Sequence, residues 1–440
     1  MFNKVANKAV LLVLIGGISL TSVAQNRIDQ QRPDAPKLAA YGQYSIGVKT
    51  LNISHAQQLD IVNIDPADSK HLPKYDRPLT VEIWYPATQD SQGETALDAF
   101  IRDGKTEVKI VGKAVRDAKP LVGPDKYPLV LISHGYPGNR YLMAHLAENI
   151  ASKGYVVASI DHTDSTYRTA AAFGSTLVNR PIDQMFTLDQ IEMLSKDKNS
   201  FLYQAVDTQN TALIGYSMGG YGAVISAGGG VTQQAVNFPR GVPHGILGIH
   251  QDKSTTMIYP DSRLKTVIAF APWGMNYGMW NNDSLKGVKV PMLLIAGSDD
   301  DVSGYKKGVR AIWQGITSVE RSLLTFEHAN HNAGAPMPAP EESFRFDEAL
   351  GFNVSEHYID AVWDNVRMNN VSQHFATAWL DTHLKNSKEA EQYLALTPKS
   401  NDGVWAKDKE GKAKPEHSYW AGFENRTAKG LRFETLAKGE

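Results

Sequence analysis

From Tyr127 onward the chain alternates between short apolar runs and longer segments that carry an apolar stripe. Leu129-Val-Leu-Ile132, Tyr155-Val-Val-Ala-Ser-Ile160, Ala212-Leu-Ile214, Thr266-Val-Ile-Ala-Phe270, Met292-Leu-Leu-Ile295 and Ser322-Leu-Leu-Thr-Phe326 read as strands covered on both faces. Between them, Tyr141 to Ala151, Ile182 to Leu194, Met218 to Ser226, Tyr305 to Gln314 and Val371 to Lys385 read as helices. In the first of these Leu142, Leu146 and Ile150 share one face. Ahead of this region Tyr44 to Leu51 and Leu79 to Tyr85 alternate apolar and polar residues, the second until Pro86 stops it. Strands alternating with helices predict an α/β fold, a mostly parallel eight-stranded sheet with helices on both faces. Residues 90–125 are polar and irregular, with one strand signal at Val108 to Val111. Residues 227–263 and 332–360 are long insertions rich in Gly and Pro, and long loops of this kind often overhang a binding site.

The two ends of the chain read differently. Lys4 and Lys8 precede an apolar run from Ala9 to Leu20, and Ser22-Val23-Ala24 supplies small residues before Gln25. This pattern predicts a secretory signal peptide over residues 1–24, because the apolar run is too short for a comfortable membrane span. A polar, proline-containing lead-in over residues 25–37, expected to be flexible and part of a catalytic domain over 25–385, follows it. The expected C-terminal extension, 386–440, docks on that domain through the aromatic cluster Tyr419-Trp-Ala-Gly-Phe423.

Composition narrows the class. The 440 residues include 45 basic and 47 acidic side chains, a balance that points to neither a nucleic-acid partner nor an anionic lipid surface. There is no cysteine, so no disulfide and no thiolate metal site. An exported protein without a stable membrane anchor, in a bacterial periplasm or outside the cell, is the expectation.

The strongest chemical signal is Gly215-Tyr-Ser-Met-Gly-Gly220, placed between an apolar strand and a run of small residues. That context is a nucleophile elbow, with Ser217 on a strained strand-to-helix turn. A serine hydroxyl needs a base held by a carboxylate, in the chain order Ser, acid, His. After Met292-Leu-Leu-Ile295 the chain offers Asp299, Asp300 and Asp301; after the last apolar run it offers His328 and His331. His331 stands farther past the strand, on a loop free to reach the serine, and is preferred over His328. The two oxyanion-hole amides are expected from Met218, after the nucleophile, and from Tyr136 in the loop Ser133-His-Gly-Tyr-Pro-Gly138, where His134 orders the loop. The Tyr136 ring would also line the acyl pocket. No histidine spacing suggests a metal, and the chemistry needs no cofactor.

These residues resemble a known group. Ile132-Ser-His-Gly-Tyr136, Gly154-Tyr-Val-Val-Ala-Ser-Ile-Asp161, Gly215-Tyr-Ser-Met-Gly-Gly220, Ala271-Pro-Trp273 and Val290-Pro-Met-Leu-Leu-Ile-Ala296 are similar to segments of bacterial polyester hydrolases and cutinases. Leu79-Thr-Val-Glu-Ile-Trp-Tyr-Pro-Ala87 resembles the platelet-activating-factor acetylhydrolase-like proteins often grouped with dienelactone hydrolases. The resemblance implies the α/β-hydrolase fold and selects Asp300 as the acid, since the group follows its acid with one residue and then Val or Ile. It also implies a substrate-stacking role for Trp273, against which stands that of a core tryptophan at a strand end. The chain departs from the group in lacking the nucleophilic cysteine of dienelactone hydrolases and in its large insertions. The expected function is that of a serine carboxylic-ester hydrolase, acting through an acyl-enzyme on short-chain or aromatic esters, small or polymeric. A phospholipid acetylhydrolase, a polyester hydrolase or another acyl-transfer enzyme on the same fold are the alternatives, and a non-catalytic binding protein is the more distant one.

Overall fold

A computed structural model describes residues 26–237, 242–251 and 260–440; the expected signal peptide lies outside them. Ten strands form the main sheet. In chain order they are β1 (Ser45–Leu59), β2 (Lys74–Ala87), β3 (Val115–Arg116), β4 (Tyr127–Ser133), β5 (Val156–Asp161), β6 (Val206–Tyr216), β7 (Leu264–Phe270), β8 (Met292–Gly297), β9 (Arg321–Phe326) and β10 (Leu431–Leu436). Across the sheet the order is β10-β9-β8-β7-β6-β4-β5-β2-β1-β3. The six central strands, β5 through β9 by way of β4, pair in parallel, while β2 and β10 join antiparallel.

The fold is therefore the α/β arrangement that the alternation predicts, with ten strands rather than eight. The two additional ones are edge strands: the two-residue β3, and β10 in the charged C-terminal tail. Strand side chains point alternately to opposite faces, so each apolar run feeds two cores. Val130, Ile132, Ile214, Ile268 and Leu293 face α1 (Ala144–Ala151) and α4 (Asn365–Lys385). Leu129, Leu131, Leu213, Val267 and Leu294 face α2 (Phe173–Lys196) and α3 (Met218–Ser226).

Three expectations are corrected. The helix read from Ile182 starts nine residues earlier, at Phe173, and carries Pro181 inside it. Proline removes the bond to the carbonyl four residues back. Here that carbonyl, on Leu177, accepts the Tyr221 hydroxyl at 3.1 Å instead, so the helix continues at little cost. Besides β3, the segment 90–125 holds the strand signalled at Val108 to Val111, as Glu107–Val111, and one that was not read, Ala96–Phe100; the two pair antiparallel and form a small separate sheet with Asn26–Arg27. The lead-in is also fixed rather than loose: Ile28 is buried, and Asn370 on α4 bonds both the Arg32 amide and the Gln30 carbonyl, at 2.9 and 3.0 Å.

The tail returns to the body as β10, where Leu431 and Phe433 enter the α4-side core with Tyr419, Trp420 and Phe423. Phe433 stacks on Phe375 of α4 with ring centroids 5.1 Å apart. Truncating a fully packed phenylalanine costs about 3–5 kcal/mol through lost burial and the cavity left behind. Phe433→Ala is accordingly expected to lower the stability of the whole protein by about 3 kcal/mol or more, measured by urea unfolding. A loss below about 1 kcal/mol would mean the tail is peripheral to the fold.

Candidate active site

Ser217 occupies the turn between β6 and α3 with φ 52° and ψ −111°, a conformation that costs a non-glycine residue energy and persists only where the surroundings impose it. They do so through close backbone packing. A Cβ on Gly215 would overlap the Gly219 carbonyl, and one on Gly219 would overlap the Ser133 carbonyl. The Ser217 amide donates to Phe270 O at 2.9 Å, and its carbonyl accepts from the Tyr221 and Trp273 amides at 2.9 and 3.1 Å.

The ends of β8 and β9 bring two further side chains to this turn. His331 Nε2 lies 3.0 Å from Ser217 Oγ, and its Nδ1 lies 3.1 Å from both carboxylate oxygens of Asp300. With Nδ1–H donating to the carboxylate, Nε2 is free to accept the serine proton. Asp300 Oδ1 also accepts from the amides of Val302 and Ser303 at 3.0 and 2.8 Å. Burial alone would raise the Asp300 pKa; the bond from His331, its charge and these amides outweigh it and hold the group below the usual carboxylate range.

The neighbours are placed elsewhere. His328 has its side chain 76% exposed and sits 3.5 Å from Asp299 at the surface. Asp301 is exposed at the cavity rim. Tyr216, directly before the serine, lays its ring 5.2 Å from that of His331 and donates its hydroxyl to Asn332 at 3.0 Å, bracing the histidine loop from below.

The loop after β4 passes beside Ser217, so closely that a Cβ on Gly135 would stand 3.4 Å from that of Ser217. The Gly135 carbonyl is held by His134 Nδ1 at 2.7 Å and by Arg180 Nη2 at 3.4 Å, while Arg180 Nη1 donates to the His134 carbonyl at 2.5 Å. In a trans peptide the N–H points opposite to the C=O. Fixing the Gly135 carbonyl therefore aims the Tyr136 N–H away from Arg180.

Below this loop lies a second Ser-His-Asp series that the linear sequence did not disclose. Ser133 Oγ lies 2.8 Å from His162 Nε2, and His162 Nδ1 lies 2.9 Å from Asp183 Oδ2. Asp183 in turn accepts two bonds from Arg77 at 2.8 and 2.9 Å. All four residues are at most 1% exposed, so no ester could reach Ser133; the series is a brace. Burial holds His162 neutral, pushed down to about 3. For Asp183 burial acts upward, and the Arg77 guanidinium more than cancels it, bringing the pKa to about 2.

A cavity of about 760 Å³ opens over the serine, lined by Gly135, Tyr136, Ser217 and His331 and reaching Arg102 and Phe352. Trp273 is half-buried and is not part of that lining. It connects to it through Phe173, whose ring stands 5.2 Å from both Tyr136 and Trp273, and it stacks on the exposed Tyr277 at 4.5 Å. Trp273 is thus neither a plain core residue nor a wall of the cavity, but part of an aromatic strip leading out of it. Among the described residues no cluster of three His, Asp or Glu side chains could hold a metal ion.

A serine on the turn after a central parallel strand, with an acid and a histidine delivered by later strands, is the architecture of the α/β hydrolases. Known proteins resemble the chain accordingly. The sequence model of the family described as platelet-activating factor acetylhydrolase, isoform II, matches residues 31–184, less than half of the chain and short of Ser217. Cutinase 2 of Thermobifida cellulosilytica is 26% identical over 209 residues, covering 47% of this chain and 61% of that protein. Cutinase cut1 of Thermobifida fusca is also 26% identical over 209 residues, covering 50% of its length. The platelet-activating factor acetylhydrolase of Cavia porcellus is 29% identical over 129 residues, 28% of each chain. The chain therefore spans about half to three fifths of the cutinases it matches. A solved ferulic acid esterase from Streptomyces cinnamoneus superimposes with a TM-score of 0.52 over 83% of this chain and 94% of its own, at 19% identity, a likeness of fold.

Two predictions follow from the geometry. His331→Ala is expected to lower ester turnover at least about a thousandfold, with His328→Ala within a few-fold of wild type, and Asp300→Asn to dominate over Asp299→Asn and Asp301→Asn. Steady-state kinetics of the five variants decides it; a reversed ranking would mean that the observed contacts do not carry the chemistry. The buried brace has a pH signature. The Asp183 pKa is lower folded than unfolded, so its stabilisation is complete above the unfolded value and fades as pH falls toward 2. Asp183→Asn, which removes one of the two carboxylates on Arg77 and leaves Asp164, 2.8 Å away, as the other, should cost about 2 kcal/mol at pH 7. In thermal melts the gap to wild type should begin to narrow below about pH 4.

Proposed function

We propose that this chain is an exported serine hydrolase of carboxylic esters. Ser217 Oγ attacks the ester carbonyl while His331 Nε2 takes its proton, and Asp300 stabilises the imidazolium that forms. The oxyanion of the tetrahedral intermediate accepts the Met218 and Tyr136 amides. His331 then returns the proton to the leaving alkoxide, and the alcohol departs from an acyl-Ser217. Water, deprotonated by His331, attacks the acyl carbon, and collapse of the second intermediate releases the acid and restores the serine. The observation that carries this reading is the continuous series from Ser217 Oγ through His331 to the buried Asp300, at 3.0 and 3.1 Å.

Short acyl or aromatic esters are the proposed substrates. The support is the size of the cavity, about 760 Å³, and the flat strip of Tyr136, Phe173, Trp273 and Tyr277 beside it. The exposed Tyr277 favours a second reading within the same chemistry, in which an aromatic polyester lies along that strip. Export rests on residues 1–24. No helix among the described residues is long and apolar enough to cross a membrane.

Ser217→Ala is expected to remove at least about 10⁴-fold of the turnover and leave the melting temperature near wild type. Retention of a tenth or more of the turnover would refute the nucleophile. Across nitrophenyl esters from C2 to C16, kcat/KM should peak at C6 or shorter, and a maximum at C12 or longer would refute the substrate class.

A further inference from the structure

The far end of the serine cavity holds a positive charge without a protein counter-charge. Arg102 lies in the turn between the two strands of the small sheet, after Ala96–Phe100, half-buried and facing the same cavity as Ser217. Its guanidinium rests 5.6 Å from the Phe352 ring. It forms no ion pair and donates no hydrogen bond among the described residues. The adjacent carboxylate is committed elsewhere: Asp103 accepts from the Lys105 and Thr106 amides at 2.9 Å and pairs with Arg345. Glu356, which also lines the cavity, turns its carboxylate back onto Asn353, accepting from that residue's amide and side chain at 3.1 and 3.0 Å. Asp301 lies beside Asp300, at the serine end.

A second unsatisfied group stands next to it. His357 lines the cavity, and its Nε2 is buried with no hydrogen-bond partner. Burial, and then the charges of Arg102 and His331, push this ring down to about 3, so it is neutral and one of its nitrogens carries a proton to donate. A partly desolvated guanidinium and an orphaned imidazole in one cavity are each unfavourable without a ligand. An oxyanion against the guanidinium relieves the first of these, with the His357 ring in the same lining, and Arg is the side chain best shaped for a carboxylate or phosphate.

We propose that Arg102 and His357 form an anion-recognising subsite, so that the preferred ester carries a carboxylate or phosphodiester on the part of the substrate remote from the scissile carbonyl. This rests on the reading of Ser217 as the nucleophile. The neutral half of the substrate would occupy the Gly135–Tyr136 side, and the anion would fix the register of the ester over Ser217. Because Arg102 comes from the small sheet and His357 from the 332–360 insertion, the two segments outside the shared α/β frame set this preference together.

The test compares 4-nitrophenyl pentanoate with mono-4-nitrophenyl glutarate, its carboxylate-bearing counterpart, and with a short acetyl ester carrying a methyl phosphodiester. Wild type should favour at least one anionic ester by about tenfold or more in kcat/KM, through KM, and the arm with the larger preference names the anion. Arg102→Gln should lower kcat/KM for that ester about tenfold more than for pentanoate, and Arg102→Lys should retain part of the preference. Equal losses on neutral and anionic esters would overturn the subsite, and turnover of the neutral ester reports that each variant is folded. Calorimetric titration of Ser217→Ala with monomethyl and dimethyl glutarate needs no turnover. Tighter binding of the monoester that depends on Arg102 supports the subsite even if the esterase reading fails. Equal binding of the two esters, with pentanoate still hydrolysed by wild type, overturns the subsite alone.

Discussion

The Ser133 carbonyl lies so close to Gly219 that the latter has no room for a Cβ, and this one contact ties together the two turns that flank the cavity. On one side it presses the start of α3 against the end of β4 and so holds Ser217 at a positive φ. On the other it positions the loop whose Gly135 stands against the serine. The strain at Ser217 cannot relax unless β4, β6 and α3 separate, and these elements are locked into both cores by Val130, Ile132, Leu131, Leu213 and Val224. The packing of the whole sheet is what keeps the hydroxyl raised out of it.

The polar interior serves the same end. Arg77, Asp183, His162 and Ser133 link β2, α2, the end of β5 and β4 by hydrogen bonds of 2.8–2.9 Å. Arg180, one turn before Asp183 on α2, reaches the next two carbonyls of the same loop. A buried ion pair adds little net stability over apolar packing, but it has directional demands that apolar packing lacks. Here those demands fall on the peptide planes beside Ser217, where a rotation of a few tens of degrees would redirect the Tyr136 N–H. Pro181 adjoins this group, and Tyr221 of α3 caps the carbonyl it frees, so even the helix irregularity joins α2 to the element that follows the serine.

The parts of this fold that were legible in the sequence are those that physics writes locally. Buried parallel strands are apolar runs, and the serine turn demands glycines at fixed spacing. Which aspartate faces His331 is a matter of side-chain direction in a turn, and the three-residue acidic run alone left it open until the group resemblance selected Asp300. The start of α2 was missed because Pro181 reads as a boundary unless one knows that Tyr221, forty residues away, replaces the lost donor. The strand at Ala96–Phe100 was hidden by its short length and by Asp98 at its exposed position, though Leu97 and Ala99 alternate inward, whereas Val108 and Ile110 marked its partner. Leu431-Arg-Phe-Glu-Thr-Leu436 carries the same alternation. Arg102, His357 and the Ser133–His162–Asp183 series have no sequence signature at all, because their members meet only through the tertiary fold.

The central claim is that the hydroxyl of Ser217, and no other in the chain, is activated for attack on an acyl carbon. Its most direct test is the site of covalent labelling by a fluorophosphonate, mapped by peptide mass spectrometry on the native protein. The account predicts a single adduct on Ser217 that is lost when His331 is replaced by alanine, with the buried Ser133 unlabelled. A native protein that takes no label, or takes it on a serine other than Ser217, would contradict it.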